Sequence, residues 1–266
     1  MKIEEYQRMF ELEENYWWFI GKRRIVSYIL KGYPLPQSPP RILDVGCGTG
    51  ANLRILNQLG RAVGIDYSPA ALQFCQSRGL SRLSRMIAES QGIKSDQFDI
   101  ILALDLLEHL ANDRMALSEF HRVCVPGGRV LITVPAHPSL WSEHDEALEH
   151  KRRYTKSDLR KKIEEAGFKI LLLSYYNAFL YLPIVLIRFL QSRFKSRHDH
   201  PETTYLELPQ ILNQTLAIIF GLEGRILKYT NLPWGLSLIC VAQKVTAHLE
   251  PAEGEKEKEL PINPLP

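Results

Sequence analysis

Apolar and polar positions alternate in period along this chain, so that short strands are predicted between helices. Ile42, Leu43 and Val45 form a compact apolar run of the kind buried in a parallel sheet. Asn52 to Leu59 follows, with Leu53, Leu56 and Leu59 on one helical face. Arg61 to Asp66 reads as a second strand. Ser68-Pro69 then opens a helix with a cap residue and a first-turn proline, running to about Arg78 and stopping at Gly79. A short third strand is predicted over Arg85 to Ala88 and a fourth over Phe98 to Leu104. Asp113 to Cys124 is helical, with Leu117, Phe120 and Cys124 inward, and Gly127-Gly128 turns the chain into a fifth strand. Thr155 to Asp158 reads as a capping box whose helix buries Leu159 and Ile163 and ends at Gly167. Phe168 to Ser174 and Leu236 to Gln243 complete the strands. This alternation predicts an α/β doubly wound sheet with helices on both faces.

The pattern breaks between the last two strands. Tyr175 to Leu190 is apolar all round, and no charge occurs from Ile170 to Ile187, although Pro183 interrupts the run. Basic residues follow (Arg188, Arg193, Lys195, Arg197), and then a second apolar stretch, Leu216 to Leu227. Three readings stay open: a helical lid packed on the sheet, a segment lying on a membrane or lipid substrate, and a transmembrane span. The predicted divisions are an N-terminal helical cap and Pro-rich linker (1–40), a core (41–174), a helical insertion (175–235), a last core strand (236–245) and a disordered tail (246–266).

The first strand ends in Asp44 and three alternate glycines, Gly46, Gly48 and Gly50, with Cys47 between the first two. A strand, a glycine turn and a helix let backbone amides approach a ligand closely. Asp44, inside the strand end, must be bonded to backbone or held for a cation. Asp66, at the end of the second strand, is placed to take both hydroxyls of a ribose, with Tyr67 beside it. The spacing is G-x-G-x-G rather than G-x-G-x-x-G, and no second glycine-rich unit follows, which argues against a dinucleotide such as NAD.

With these features, Phe98 to His109 (Phe-Asp-Ile-Ile-Leu-Ala-Leu-Asp-Leu-Leu-Glu-His) and Arg122 to Pro135, with its Pro-Gly-Gly turn, make the chain resemble a class I S-adenosylmethionine-dependent methyltransferase of the broad type 11 group. The likeness runs from about Arg41 to Phe168. It implies a Rossmann-like seven-stranded sheet whose last strand is antiparallel, with S-adenosylmethionine as cofactor. It also implies that the glycine loop and Asp44 meet the cofactor's amino-acid half, that Asp66 holds its ribose, and that Glu89, Asp105 and Leu106 border the adenine or the reacting centre. The family commonly joins its last two strands by a short hairpin, whereas about sixty residues intervene here.

Composition narrows the setting. The chain has 266 residues, a net charge of +3 and 24% charged residues, so no large basic field calls for nucleic acid. Four scattered cysteines without a C-x-x-C pair favour a reducing compartment and argue against structural zinc. The N-terminus is unlike a signal peptide, and a cytoplasmic protein, peripheral at the inner membrane face if 175–197 touches lipid, is expected.

The segment from Tyr16 to Arg24 carries Trp17, Trp18 and Phe19 ahead of Lys22 and Arg23. Aromatic faces attract a sulfonium. Trp17 is therefore a candidate lid over the cofactor and Arg23 a candidate for its carboxylate, the alternative being simple burial against the sheet. His137, His144 and His150 follow the fifth strand, and His109, His144 and His150 are the candidate general bases. Arg153 and Tyr154 read as substrate-orienting groups or as anchors. Asp105, Glu108 and His109 resemble the acidic metal site of ubiquinone-pathway O-methyltransferases, but the expected state carries no metal. The expected reaction is O-methylation of a small-molecule, lipid-linked or glycan-linked acceptor. The alternatives are a metal-assisted catechol-type transfer and a non-catalytic cofactor-binding scaffold.

Overall fold

The structure is a computed structural model, and it describes residues 3–33, 39–179, 181–182, 185, 205 and 208–245. Among these, seven strands form one sheet: β1 (Arg41–Val45), β2 (Arg61–Asp66), β3 (Leu83–Arg85), β4 (Phe98–Leu104), β5 (Cys124–Pro135), β6 (Phe168–Tyr176) and β7 (Ser237–Lys244). Their order is β3-β2-β1-β4-β5-β7-β6. β7 runs antiparallel to both its neighbours, while β3, β2, β1, β4 and β5 are parallel. The Rossmann-like doubly wound sheet with an antiparallel last strand is therefore present as expected. The helices are α1 (Ile3–Leu12), α2 (Trp17–Gly32), α3 (Ala51–Leu59), α4 (Pro69–Ser77), α5 (Asp113–Val123), α6 (Glu143–Ala147), α7 (Lys156–Glu165) and α8 (Gln210–Ile226).

The strands read as continuous apolar runs because both faces of the sheet are covered. Leu43, Ile101, Val130 and Cys240 point to one face, where Leu117 and Phe120 of α5 and Leu159 and Ile163 of α7 pack. Their neighbours Ile42, Leu102, Leu131 and Ile239 point to the other, against Ile25 and Ile29 of α2, Leu53 and Leu56 of α3, and Phe220 of α8. Successive side chains alternate faces in a strand, so neighbouring residues serve separate cores.

Three predicted boundaries move. The third strand is Leu83–Arg85, paired with Gly64, Ile65 and Asp66, rather than Arg85–Ala88. Met86, Ile87 and Ala88 lie past the strand in the wall of a cavity, Met86 and Ala88 also packing on the core, and an Ile87–Ser90 bridge closes the turn there. Helix α5 ends at Val123, and Cys124 already pairs with Phe98. Ile100 next pairs with Arg129, so the residues around Gly127-Gly128 form a bulge within β5 rather than a turn before it. β6 extends to Tyr176, taking the first residues of the predicted insertion into the sheet.

The described part of the insertion packs inward. Helix α8 lies along α2, with Gly21 and Gly224 at the crossing. A Cβ on Gly224 would fall 2.8 Å from the Cα of Ile25, so only glycine permits this approach. Asn213 of α8 accepts the Trp17 N–H at 2.9 Å and donates to the Asn15 carbonyl at 2.6 Å, fixing the start of α2. No helix among the described residues is long and apolar enough to cross a membrane. The predicted contact through Arg188, Arg193, Lys195 and Arg197, and the tail 246–266, lie outside the described residues.

Candidate functional site

A cavity of about 1110 Å³ opens at the carboxyl ends of the strands, where α/β sheets bind ligands. Its near end is the turn between β1 and α3. Gly46, Gly48 and Gly50 have φ of 70°, 54° and 89°, conformations closed to most side chains. The N–H groups of Gly46 and Cys47 donate to the Ile65 carbonyl, tying the loop to β2. Asp66 accepts the Gly48 N–H at 3.0 Å on one oxygen and the Ser68 N–H at 2.8 Å on the other. Burial pushes its pKa up, and these backbone donors oppose the rise. The carboxylate is thus pre-aimed, and it lines the cavity.

Gly46, Cys47, Gly48, Asp66, Tyr67, Glu89, Asp105, Leu106, Trp17 and Arg23 all line this cavity, as do His109, His144 and His150. Asp44 and Gly50 are not among its lining residues. Gly50 instead starts α3 with left-handed backbone and packs on α4, where a Cβ would sit 2.9 Å from Cys75 Sγ. Asp44 is buried behind the loop with Oδ2 unpartnered, and burial, then the Asp66 charge, raise its pKa to about 7.

Helix α1 and the residue that follows it supply wall residues that the sequence reading did not single out. Tyr6, Met9 and Glu13 line the cavity above the glycine loop. Glu13 accepts a hydrogen bond from Thr49 Oγ1 and pairs with Arg78 at 2.6 Å. Arg78 also lies 4.4 Å over the Phe10 ring, so α1 is latched to α4 across the loop. Burial and the nearby Asp66 push the Tyr6 hydroxyl up to about 12. The available signal was the apolar spacing Tyr6, Met9, Phe10, which marks a helix with one buried face.

On α2 the aromatics serve both readings. Trp18 stacks on Phe220 at 5.0 Å and Trp17 meets Trp18 edge-on at 5.8 Å, yet both line the cavity. Lys22 is ion-paired with Asp105. Arg23, in the wall, has no hydrogen bond or ion pair among the described residues. Burial lowers its pKa, opposed by the charges of Glu14 and Glu13.

The middle of the cavity is the β4 tip. Asp105 has φ 51° and accepts the Thr133 hydroxyl at 2.8 Å. Burial would raise its pKa, but Lys22 outweighs this and holds it below the usual carboxylate range. Glu108, fully buried, has no side-chain hydrogen-bond partner among the described residues on either oxygen, and burial, then the Asp105 charge, push its pKa well above the usual carboxylate range. His109 is pushed down to about 4 by burial and then by His150, whose ring lies edge-on at 4.8 Å. His150 Nδ1 is 3.0 Å from Asp145 Oδ1, which also accepts Arg153 Nε at 2.8 Å. Despite its burial, Asp145 is held far below the usual range by these two partners.

Two candidates fall outside this group. His137 stacks flat on Tyr175 and bonds the Gly235 carbonyl through Nε2 at 2.9 Å, and it is not in the wall. Tyr154 donates to Asp113 at 2.7 Å in the core. Arg153 lines the cavity, but its guanidinium is spent on Asp145 and the Ala136 carbonyl, so it anchors. The compact ligand set is also not the one read from sequence. Glu108, His109 and His150 bring potential ligand atoms within 4.8 Å of one another, while Asp105 turns to Lys22 and Thr133.

A seven-stranded sheet with this order, a glycine loop and a ribose-height carboxylate define a Rossmann-like nucleoside-cofactor enzyme. A family model described as a methyltransferase domain matches residues 18–173. The chain belongs to that family and is a class I S-adenosylmethionine-dependent methyltransferase, which removes the NAD reading. It is 36% identical over 102 residues to demethylmenaquinone methyltransferase of Tropheryma whipplei, covering 36% of this chain and 42% of that protein. It is 30% identical over 109 residues to ubiquinone biosynthesis O-methyltransferase of Pseudomonas aeruginosa, covering 38% of this chain and 47% of that protein. The chain thus spans less than half the length of these two relatives. A solved S-adenosylmethionine-dependent methyltransferase from Archaeoglobus fulgidus shares the fold, with a TM-score of 0.54 at 16% identity over 84% of this chain and 94% of that one. Haemonchus contortus phosphoethanolamine N-methyltransferase 2, solved with S-adenosylmethionine, shares it with a TM-score of 0.54 at 18% identity, over 84% and 52%.

Proposed function

We propose that this methyltransferase acts on an acceptor oxygen, the acceptor being a phenol-like or polyhydroxylated small molecule, free or as the head of a lipid- or glycan-linked carrier. The observation that carries this is the uncharged His109 in the cavity wall, four residues past Asp105 at the β4 tip, backed by His150 and Asp145. S-adenosylmethionine, when bound, supplies a methyl carbon on a positively charged sulfur. The chain's task is alignment and proton removal. Asp66 receives the ribose hydroxyls, the unpaired Arg23 the carboxylate, and Glu89 and Leu106 flank the adenine. Asp44, buried behind Gly46 and Cys47 with an oxygen unpartnered among the described residues, would favour the ammonium. His109 takes the hydroxyl proton. His150, oriented by Asp145, fixes the His109 ring from its edge. The names of the relatives, concerned with demethylmenaquinone and ubiquinone biosynthesis, support an oxygenated ring as acceptor.

The test is methyl-labelled S-adenosylmethionine offered with phenol, catechol, sugar and amine panels, the product site read by NMR. Transfer to oxygen is expected; transfer confined to nitrogen or carbon refutes the reading. A second reading, metal-assisted transfer, is favoured by the orphaned oxygens of Glu108 beside His109 and His150. One carboxylate and two imidazoles suit a divalent cation, which would polarise the acceptor hydroxyl. Activity lost to EDTA and restored by Mg²⁺ or Zn²⁺ supports it, and undiminished activity removes it. A membrane-surface contact through 175–197 would suit a lipid-linked acceptor, and the exposed Ile211, Ile218 and Leu222 of α8 are consistent with it. Absence of co-flotation with anionic vesicles would exclude that contact.

A further inference from the structure

Asn177 follows the last residue of β6 with left-handed backbone, φ 60°. It lines the cavity and is 1% exposed, yet among the described residues neither Oδ1 nor Nδ2 has a hydrogen-bond partner. A buried amide with every bond unmade is costly, and such groups are rare in folded proteins without a ligand or water to satisfy them. Its backbone, by contrast, is firmly held. Glu223 of α8, fully buried, accepts the N–H groups of Asn177, Ala178 (2.8 Å) and Phe179 (3.2 Å). Three donors on one carboxylate fix the turn, while the side chain that the turn presents is left unpaired.

The position of Asn177 limits what it can bind. In the sheet order β1, β4, β5, β7, β6, it stands at the end of the last strand, across the β4 tip from the glycine loop. It therefore belongs to the end of the cavity opposite the ribose carboxylate. Lys22 and Arg153 in the wall are committed to Asp105 and Asp145, and Arg23 faces the charges of Glu13 and Glu14 near the glycine loop. Among the described residues, Asn177 thus offers one donor and one acceptor on a neutral side chain, with no uncommitted cation at its end of the cavity to suit an anionic acceptor. We infer that Asn177 is an acceptor-binding residue selecting a neutral molecule with two adjacent oxygens, at least one a hydroxyl. Nδ2 donates to one oxygen and Oδ1 accepts from the hydroxyl, with Glu223 as the positioning residue. This rests on the reading of the chain as an oxygen methyltransferase and names the acceptor's recognised group.

Vicinal oxygens occur on aromatic rings and on saturated or sugar-like rings, so the test uses both. Protein saturated with S-adenosylhomocysteine is titrated with catechol, cis-1,2-cyclohexanediol and phenol, and affinities are read calorimetrically. At least one diol is expected to bind tenfold or more tightly than phenol, and the winning diol identifies the ring type. Asn177→Gly keeps the left-handed backbone and removes the amide. It should reduce that preference to less than threefold, with S-adenosylhomocysteine affinity within twofold of the parent. Asn177→Asp, similar in shape but lacking the donor, should do the same and serves if the glycine variant does not fold. Glu223→Gln should weaken diol binding in the parent, and the effect should vanish in the Asn177→Gly background, a coupling that general destabilisation would not produce. An intact diol preference in both Asn177 variants overturns the inference, as does a parent protein that binds neither diol or binds phenol equally well. Asn177-dependent diol binding without methyl transfer to oxygen would sink the O-methylation reading alone. Oxygen transfer with unchanged preference in the variants would sink only the role of Asn177.

Discussion

The two ends of the cavity are assembled in different ways. At the cofactor end, β1, the glycine loop, α3 and β2 are consecutive in the chain from Arg41 to Asp66, and the decisive bonds are backbone N–H groups to a neighbouring carboxylate. At the other end, Glu108, His150, Asn177 and Ser237 come from three separate connections, with Asn177 and Ser237 at the two ends of the last, and they line one cavity only because their strands lie side by side. The first end is a local motif whose spacing carries its geometry. The second is a meeting of loops, set by the sheet, by Asp145 and by Glu223. A motif of the first kind resists change at any distance from it, whereas the second depends on distant anchors.

The sharpest way to separate the ends is His109→Gln, expected to lower kcat by roughly 10³ while leaving S-adenosylhomocysteine affinity unchanged. Calorimetry alongside initial rates checks this, and a parallel loss of cofactor binding would mean that the two ends are not separable. Asp66→Ala should do the reverse, weakening S-adenosylhomocysteine about 100-fold, or roughly 2.7 kcal/mol, by removing a charged acceptor of hydrogen bonds. Arg23→Ala should cost roughly tenfold in the same titration, because a single part-buried cation on a carboxylate contributes less.

The smallest effect expected is with pH. His109 has its pKa lowered to about 4 by burial and His150, so lowering the pH from 8 to 6 should leave the base unprotonated and kcat/KM nearly flat on that group's account. An acid limb near 6.5 would show that His109 titrates as if exposed and is not the buried base. The linkage has a definite sign. A folded pKa below the unfolded one contributes stability that is fully present above about pH 6.5. That stability is lost as pH falls towards 4, and thermal melts of the parent and His109→Gln read it directly.

Much of the fold was legible because the strands carry apolar runs and the helices carry a one-sided stripe, both local signals. Misplaced boundaries share one cause. Met86, Ile87 and Ala88 line a cavity and pack on the core without pairing in the sheet, and Gly127-Gly128 serves a bulge inside β5 rather than a turn before it. Period and composition do not distinguish these uses. The site divides similarly. Gly46, Gly48 and Asp66 were readable as cavity-wall residues from spacing, and His109 and His150 from their residue types. Tyr6, Glu13 and Asn177 were not, since a tyrosine or glutamate on an amphipathic helix and an asparagine in an apolar stretch carry no distinctive pattern. His137 shows the converse: chemically suited, it is used up by the Gly235 carbonyl and the Tyr175 ring.

What the amino-acid order determined by itself is the doubly wound sheet and the glycine loop tied to Asp66, because a strand, three glycines and an acid at fixed spacing leave the backbone little choice. Tertiary structure decided the rest. Contact between β4, β5, β7 and β6 brings Glu108, His109, His150 and Asn177 to one cavity, where burial and neighbouring charges push the Glu108 pKa up and the His109 pKa down, and where the Asn177 side chain has no hydrogen-bond partner among the described residues. Those properties come from desolvation and from neighbours distant in the chain, which have no expression in local sequence.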